Sequence, residues 1–91
     1  MKLIVLNGRR IHSKEEFHKE IKDKFDFPSY YGANLDALWD MLTTINHHTT
    51  IRLINHKLLV EKLGPYGEKI LDLLQDLVGE NKKINLILDP K

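Results

Sequence analysis

The chain has 91 residues, 42% of them hydrophobic and 30% charged, with a formal net charge of +1 and no cysteine. This composition excludes a disordered chain, a disulfide framework and a thiolate metal site, and the near-zero charge argues against binding nucleic acid through its phosphates. No apolar run approaches the roughly 20 residues that span a bilayer, and the start lacks a hydrophobic signal segment, so we expect one cytoplasmic domain over residues 1–91.

The first predicted element is a buried strand over Leu3–Leu6, a short apolar run. Asn7 and Gly8 follow it and form a dipeptide that is typical of tight hairpin turns. Residues 9–12 lack the alternating pattern of a second hairpin arm. A hairpin therefore stays open as the alternative to a longer connection after the strand.

A helix is predicted to begin after Ser13. Ser13 and Glu16 have the spacing of a capping box, in which each side chain accepts a hydrogen bond from the backbone amide of the other residue. One face of this helix is apolar, at Phe17, Ile21 and Phe25. Pro28 prevents the helix from continuing.

A short second helix follows the loop around Gly32, and Asn34 is its predicted N-cap. Its inward stripe consists of Leu35, Leu38 and Leu42. Asp36 and Asp40 lie four residues apart and therefore share one face of the helix. Like charges at this spacing cost a helix about 0.2–0.5 kcal/mol, so the pair contributes nothing to helix stability.

The segment around this helix start is acidic and aromatic. Residues 26–42 contain three aspartates and no lysine or arginine, whereas the first 24 residues carry a basic excess. Tyr30, Tyr31 and Trp39 stand beside these aspartates, and rings next to carboxylates are typical of surfaces that bind basic side chains of another protein. The rings could equally belong to the core and the aspartates to an ordinary solvated face. The pattern alone leaves both interpretations open.

The rest of the chain predicts a second strand, two helices and a third strand. The strands are Ile51–Ile54 and Ile84–Leu88, both short and rich in isoleucine and leucine. Asn55 is the predicted N-cap of the third helix, and Gly64 ends it before a turn over residues 64–67. These two helices bury aliphatic stripes: Leu58, Leu59 and Leu63, then Ile70, Leu71, Leu74, Leu77 and Val78.

Two helices thus separate each predicted strand from the next. Crossovers of this length permit parallel pairing, and continuously apolar strands suit a sheet that is buried on both faces. We therefore expect a compact α/β domain with a small, mostly parallel sheet and helices packed around it.

The fourth helix carries an acidic row at i, i+4 and i+8, formed by Asp72, Asp76 and Glu80. An ordinary solvated outer face is the simpler interpretation for Asp72 and Glu80. Asp76 could instead join Asp36 and Asp40 in one negative patch if the second and fourth helices are neighbours. The sequence does not establish that they are.

The five histidines form no recognisable catalytic or metal-binding motif. His47 and His48 are adjacent, and no HExxH-like spacing or cysteine accompanies them. His18 is expected to be packed and hydrogen-bonded, and His12 and His56 to be exposed. No motif supplies a general base, an activated nucleophile or a phosphate loop, so we expect no enzyme activity, no metal and no cofactor.

The run from Pro28 to Asp40, PSYYGANLDALWD, resembles the signature segment of the barstar family of intracellular ribonuclease inhibitors. The first strand, the serine-led helix with His18, the fourth helix and the last strand follow in the family's order, so the resemblance covers almost the whole chain. It implies a three-stranded parallel sheet with about four helices. It also implies that the chain, a monomer when free, plugs a basic barnase-type ribonuclease one-to-one, with carboxylates in place of RNA phosphates.

Carried over residue by residue, the resemblance implies one partner-binding surface. Asp40 takes the place of the carboxylate that enters the nuclease's phosphate pocket, and Asp76 that of a contacting glutamate with a longer side chain. The whole implied surface is Tyr30, Tyr31, Gly32, Asn34, Leu35, Asp36, Trp39, Asp40, Thr43, Thr44 and Asp76.

Three differences from the family prototype suggest a related partner and not the same one. This chain is nearly neutral where the prototype is strongly acidic, so long-range steering of a basic partner should be weaker. Ile45 replaces the prototype's second tryptophan, and Met41 and Lys83 replace its two cysteines. The alternative function is a non-inhibitory interaction domain of the same fold that binds another basic protein.

Overall fold

The computed structural model describes residues 2–90; Met1 and Lys91, which belong to the predicted domain, lie outside the described residues. The elements, in chain order, are β1 (Lys2–Asn7), α1 (Lys14–Phe25), α2 (Leu35–Thr43), β2 (Thr49–Ile54), α3 (His56–Leu63), α4 (Pro65–Glu80) and β3 (Ile84–Asp89). No helix formed by residues 2–90 combines the length and the apolar character needed to cross a membrane.

The three strands form one parallel sheet in the order β1-β2-β3. Ile4 of β1 pairs with Ile51 of β2, which in turn pairs with Leu86 of β3. Each connection between neighbouring strands contains two helices, because a parallel pair cannot be joined by a tight turn. The prediction of an α/β fold with a three-stranded parallel sheet and four helices is confirmed.

The alternative prediction of a hairpin after β1 is wrong. Gly8–Arg10 forms a short 3-10 turn, in which the side-chain oxygen of Asn7 accepts a hydrogen bond from the Arg9 amide (3.0 Å). A Cβ atom at Gly8 would collide with the backbone carbonyl oxygen of Asn55. Glycine therefore lets the end of β1 pack closely against the start of α3.

The predicted starts of α1, α2 and α3 are present, whereas the turn predicted over residues 64–67 is wrong, because α4 already begins at Pro65, the proline occupying its first helical position. Two cap contacts also differ from the expectation. Ser13 Oγ accepts from the Glu16 amide as predicted (3.1 Å), whereas the Glu16 carboxylate bonds to the amide of His12 (2.8 Å) instead of that of Ser13. Asn55 has a left-handed backbone (φ 58°) and makes no side-chain cap to α3. Its amide group donates to Asn7 Oδ1 instead (2.8 Å), which ties β1 to the start of α3.

One core joins the inner face of the sheet to all four helices, and its fully buried members include Leu6, Phe17, Ile21, Leu38, Leu42, Ile51, Leu53, Leu59, Ile70, Leu74 and Leu77. The opposite face of the sheet is partly open to solvent, since Leu3 is 61% and Ile87 49% exposed. On this face Arg52 forms an ion pair with Asp89 (2.7 Å). The expectation of a sheet buried on both faces is therefore wrong.

Candidate protein-binding surface

The loop between α1 and α2 is anchored by one buried tyrosine. Tyr31 is only 9% exposed, and its hydroxyl oxygen lies 2.6 Å from Nδ1 of His18. Its backbone amide donates to the Pro28 carbonyl (3.0 Å), and its ring packs beside that of Phe27. Tyr31 is therefore largely a core residue, and little of its side chain is left for the contact that the resemblance implies.

His18 connects three parts of the fold. Its Nε2 atom lies 2.5 Å from the hydroxyl of Tyr66 on α4, so the ring is held between two tyrosines. Burial lowers the pKa of His18; Glu15 opposes this shift and Lys14 adds to it. Burial also raises the pKa of both tyrosine hydroxyls. A neutral imidazole, with one donor and one acceptor nitrogen, matches two neutral hydroxyls. The expectation of a packed, hydrogen-bonded histidine is confirmed.

The loop residues beside the buried tyrosine face solvent. Tyr30 is 82% exposed, and Gly32 and Asn34 are also exposed. Ala33 has a left-handed backbone (φ 51°), which costs a non-glycine residue about 1–2 kcal/mol and must be held by the surrounding contacts. One of these contacts is the predicted cap, because Asn34 Oδ1 accepts from the Ala37 amide (2.8 Å).

The outer side of α2 presents two carboxylates and part of an indole ring. Asp36 and Asp40 are exposed, whereas Leu35 and Trp39 are half-buried. Trp39 packs against the core with part of its side chain. The sequence left open whether this ring belongs to the core or to a binding surface. The ring is half-buried, so it packs on the core and also exposes part of its face.

Side-chain hydrogen bonds hold the C-terminal end of α2. Thr43 and Thr44 donate their hydroxyl protons to backbone carbonyls of α2 itself, at 2.8 and 2.9 Å. Asn81, which follows α4, donates from Nδ2 to the carbonyls of Leu42 (3.1 Å) and Ile45 (2.9 Å). The bonds from Asn81 fix the end of α2 against the end of α4. Because both threonine hydroxyl protons are already donated, the threonines can only accept hydrogen bonds from a partner.

Helices α2 and α4 are neighbours, so Asp36 and Asp76 line the same groove. We call it the acidic groove; its lining residues are Leu35, Asp36, Trp39, Lys69, Asp72, Leu73 and Asp76. Asp40 is not among them, although it follows Asp36 by one helical turn. Asp72, for which the sequence favoured an ordinary solvated face, is part of the groove. In the sequence, only the four-residue spacing between Asp72 and Asp76 could have indicated that both line one groove. No sequence pattern showed which helix α4 packs against.

A second depression, the α1 cleft, opens on the other side of Asp36. It is lined by Lys14, Glu15, His18, Lys19, Lys22, Tyr31, Ala33, Asn34, Leu35, Asp36 and Tyr66. Leu35 and Asp36 belong to both depressions, which therefore form one continuous surface around the start of α2. No sequence motif marks the α1 cleft, because its walls come from three separate segments of the chain.

The remaining histidines differ in their exposure and form no metal-binding group in the described part of the chain. Within residues 2–90 no group of histidine or acidic side chains is arranged to hold a metal ion. His12, His47 and His48 are exposed. His56 is half-buried, and its Nδ1 atom is buried with no hydrogen-bond partner in the described part of the chain, so the expectation that it is exposed is wrong. What the surface offers is exposed carboxylates beside the half-buried ring of Trp39, which suits basic side chains.

Comparison with known proteins finds a matching family model and a similar relative. A family model described as "Barstar (barnase inhibitor)" matches residues 1–89, a range that contains every residue of the acidic groove and the α1 cleft. The protein named "Putative ribonuclease inhibitor YrdF" from Bacillus subtilis (strain 168) is 41% identical over 83 residues, which cover 90% of this chain and 91% of that protein.

Proposed function

Because the chain belongs to the barstar family, we propose that it is a ribonuclease inhibitor that covers the active site of its target. The proposed target is a basic ribonuclease of the barnase type, bound one-to-one in the cytoplasm by a chain that is monomeric when free. The chain acts by binding and carries out no reaction of its own. The name of its relative from Bacillus subtilis supports the inhibitory role.

The proposed contact surface begins at the exposed ring of Tyr30 and follows the outer side of α2. Its members are Tyr30, Gly32, Asn34, Leu35, Asp36, Trp39, Asp40, Thr43, Thr44 and Asp76. Tyr31 has a supporting role, because its buried ring and its bond to His18 hold the loop on which its neighbours are presented.

The observation that carries this proposal is the arrangement of Asp36, Trp39 and Asp76 around one groove built by two helices. A nuclease stabilises the charge of a reacting phosphate with arginine, lysine and histidine side chains. Carboxylates that are fixed on a folded surface can pair with those cations in place of RNA phosphates, and an aromatic ring adds apolar contact. Asp40, exposed on the next turn of α2, extends the same negative surface.

The direct test is a titration of a barnase-type ribonuclease with the purified chain while RNA cleavage is followed. We expect a linear loss of cleavage that ends at one chain per nuclease. Cleavage that persists at a large excess of the chain, with every barnase-type nuclease tried, would contradict the proposal. Capture of a basic partner that does not cleave RNA would favour the non-inhibitory interaction domain.

A further inference from the structure

Opposite charges flank Asp36. In the acidic groove three aspartates face one lysine, whereas the α1 cleft carries Lys14, Lys19 and Lys22 against Glu15 and Asp36 itself. A single continuous surface therefore changes from negative to positive across the start of α2. Pairing with the cations of a nuclease accounts for the acidic groove and leaves the lysines of the α1 cleft unexplained.

The lysines of the α1 cleft are free to meet a partner. Lys14 and Lys19 are exposed and Lys22 is half-buried. The ion pairs formed among residues 2–90 involve other side chains, so none of these three lysines is paired with a carboxylate of the described chain. The ammonium group of Lys14 lies 5.7 Å from the centroid of the Tyr66 ring, a cation–π contact that holds it at the rim of the cleft.

The floor of the α1 cleft is built from hydrogen-bonded side chains, two of them buried and one half-buried. His18, Tyr31 and Tyr66 line it and are joined by hydrogen bonds of 2.5 and 2.6 Å. A depression with a fixed floor costs less conformational entropy when a partner enters than a surface that must first be ordered. The cleft is therefore a formed site beside the proposed interface.

We infer that the α1 cleft receives an acidic segment of the same ribonuclease whose cations the acidic groove binds. This inference rests on the proposed function. A standard interface buries about 800 Å² on each partner, so a nuclease that covers Asp36 also reaches the adjoining cleft. A folded protein can place separate carboxylates, each against one lysine. An RNA strand would also bring its phosphates close to the carboxylates of Glu15 and Asp36, which repel them. The cleft thus selects, among basic ribonucleases, those with an aspartate or glutamate at this place.

The test compares three full-length proteins against a barnase-type ribonuclease that the parent inhibits. They are the parent, the cleft variant Lys14→Glu/Lys19→Glu and the control variant Lys57→Glu/Lys82→Glu. All four lysines are exposed, and both variants change the net charge equally. A general charge effect would therefore change the affinities of the two variants by the same amount. We expect the cleft variant to bind at least about fivefold more weakly, mainly through slower association, and the control to stay within about twofold of the parent. Circular dichroism and urea unfolding establish that both variants fold.

Zero-length carbodiimide crosslinking of the parent complex identifies the occupant, because the reagent joins a lysine amine only to a carboxylate in contact with it. We expect crosslinks from Lys14, Lys19 or Lys22 to an aspartate or glutamate of the nuclease. Crosslinks confined to other lysines would overturn the inference, and so would equal affinities of the two variants.

Both of these results leave the proposed function standing, because inhibition by the parent is measured in the same assay. Binding of a single-stranded oligoribonucleotide by the parent, lost in the cleft variant, would also overturn the inference by assigning the cleft to RNA. A parent that inhibits no barnase-type ribonuclease would contradict the proposed function and the inference with it.

Discussion

The Nδ1 atom of His18 lies 2.6 Å from the hydroxyl oxygen of Tyr31, and this buried contact connects α1 to the loop of the proposed interface. Both side chains are largely inaccessible, so neither offers a partner much surface. Tyr30 and Gly32, on either side of Tyr31, are exposed. The hydrogen bond therefore acts as a support that fixes the exposed residues before a partner arrives.

Removal of the Tyr31 hydroxyl should lower the stability of the fold. Tyr31→Phe leaves one nitrogen of the buried His18 ring without its partner, and we expect the free energy of unfolding to fall by about 1–3 kcal/mol. Tyr30→Phe is the matched control, because Tyr30 is 82% exposed. Loss of its hydroxyl should change the free energy of unfolding by less than about 0.5 kcal/mol. Urea unfolding measures both; equal effects of the two substitutions would argue against the anchoring role.

The stability of the fold should depend on pH through His18. Burial lowers the pKa of His18 below the ordinary value of 6.5. As the pH falls below about 6.5, this residue therefore binds a proton in the unfolded chain before it does so in the folded chain. The contribution of His18 to stability is therefore complete above that pH and is lost progressively towards the lower pKa of the folded state. His18→Gln should show a shallower acid-side decrease in unfolding free energy than the exposed control His47→Gln. Identical slopes would mean that His18 does not titrate differently in the two states.

Two glycines should respond in opposite directions to substitution by alanine. A Cβ at Gly8 meets the Asn55 carbonyl, so Gly8→Ala should lower the free energy of unfolding by about 1–3 kcal/mol. Gly79 lies within α4 with no atom near the position of a Cβ, so Gly79→Ala should raise it by about 0.5–1 kcal/mol. Thermal or urea unfolding measures both changes in the free energy of unfolding. A destabilised Gly79→Ala would contradict the open space described for that position.

Asp72 should also contribute to ribonuclease binding, in addition to the residues of the proposed contact surface, although it looks like an ordinary surface residue in the sequence. It lines the acidic groove with Asp36 and Asp76, whereas Glu80, on the same acidic row of α4, does not. Asp72→Asn should weaken binding by about 0.2–1 kcal/mol, the range of an exposed charge pair, and Glu80→Gln should leave it unchanged. Dissociation constants at low and moderate salt measure the difference; equal losses would indicate that only the net charge of α4 matters.

Local patterns in the sequence predicted most of the fold. Short apolar strands separated by pairs of helices indicate parallel pairing, and Ser13 and Asn34 mark helix starts by side-chain chemistry that acts over three residues. Asn55 was assigned the same chemistry, but its left-handed backbone turns its side chain towards Asn7. That outcome depends on β1, which lies far from Asn55 in the sequence and next to it in the fold.

The candidate site could be predicted only in part, because its members meet through packing. The acidic, aromatic character of residues 30–40 is visible in the sequence, yet no pattern separates the exposed Tyr30 from the buried Tyr31. That difference arises from His18 on α1, which takes the second tyrosine as its hydrogen-bond partner. The acidic groove likewise exists only because α4 packs beside α2.

The most direct test of the central claim is the inhibition constant of Asp40→Asn for a barnase-type ribonuclease, measured beside the parent and the control Asp23→Asn. Both substitutions remove one negative charge from an exposed aspartate, but Asp23 lies on α1 outside the proposed surface. We predict that Asp40→Asn loses about 2–5 kcal/mol of binding free energy, as expected when one partner of a desolvated charge pair is removed, and that Asp23→Asn inhibits like the parent. A folded Asp40→Asn chain that inhibits as strongly as the parent would contradict the claim that this carboxylate takes the place of an RNA phosphate.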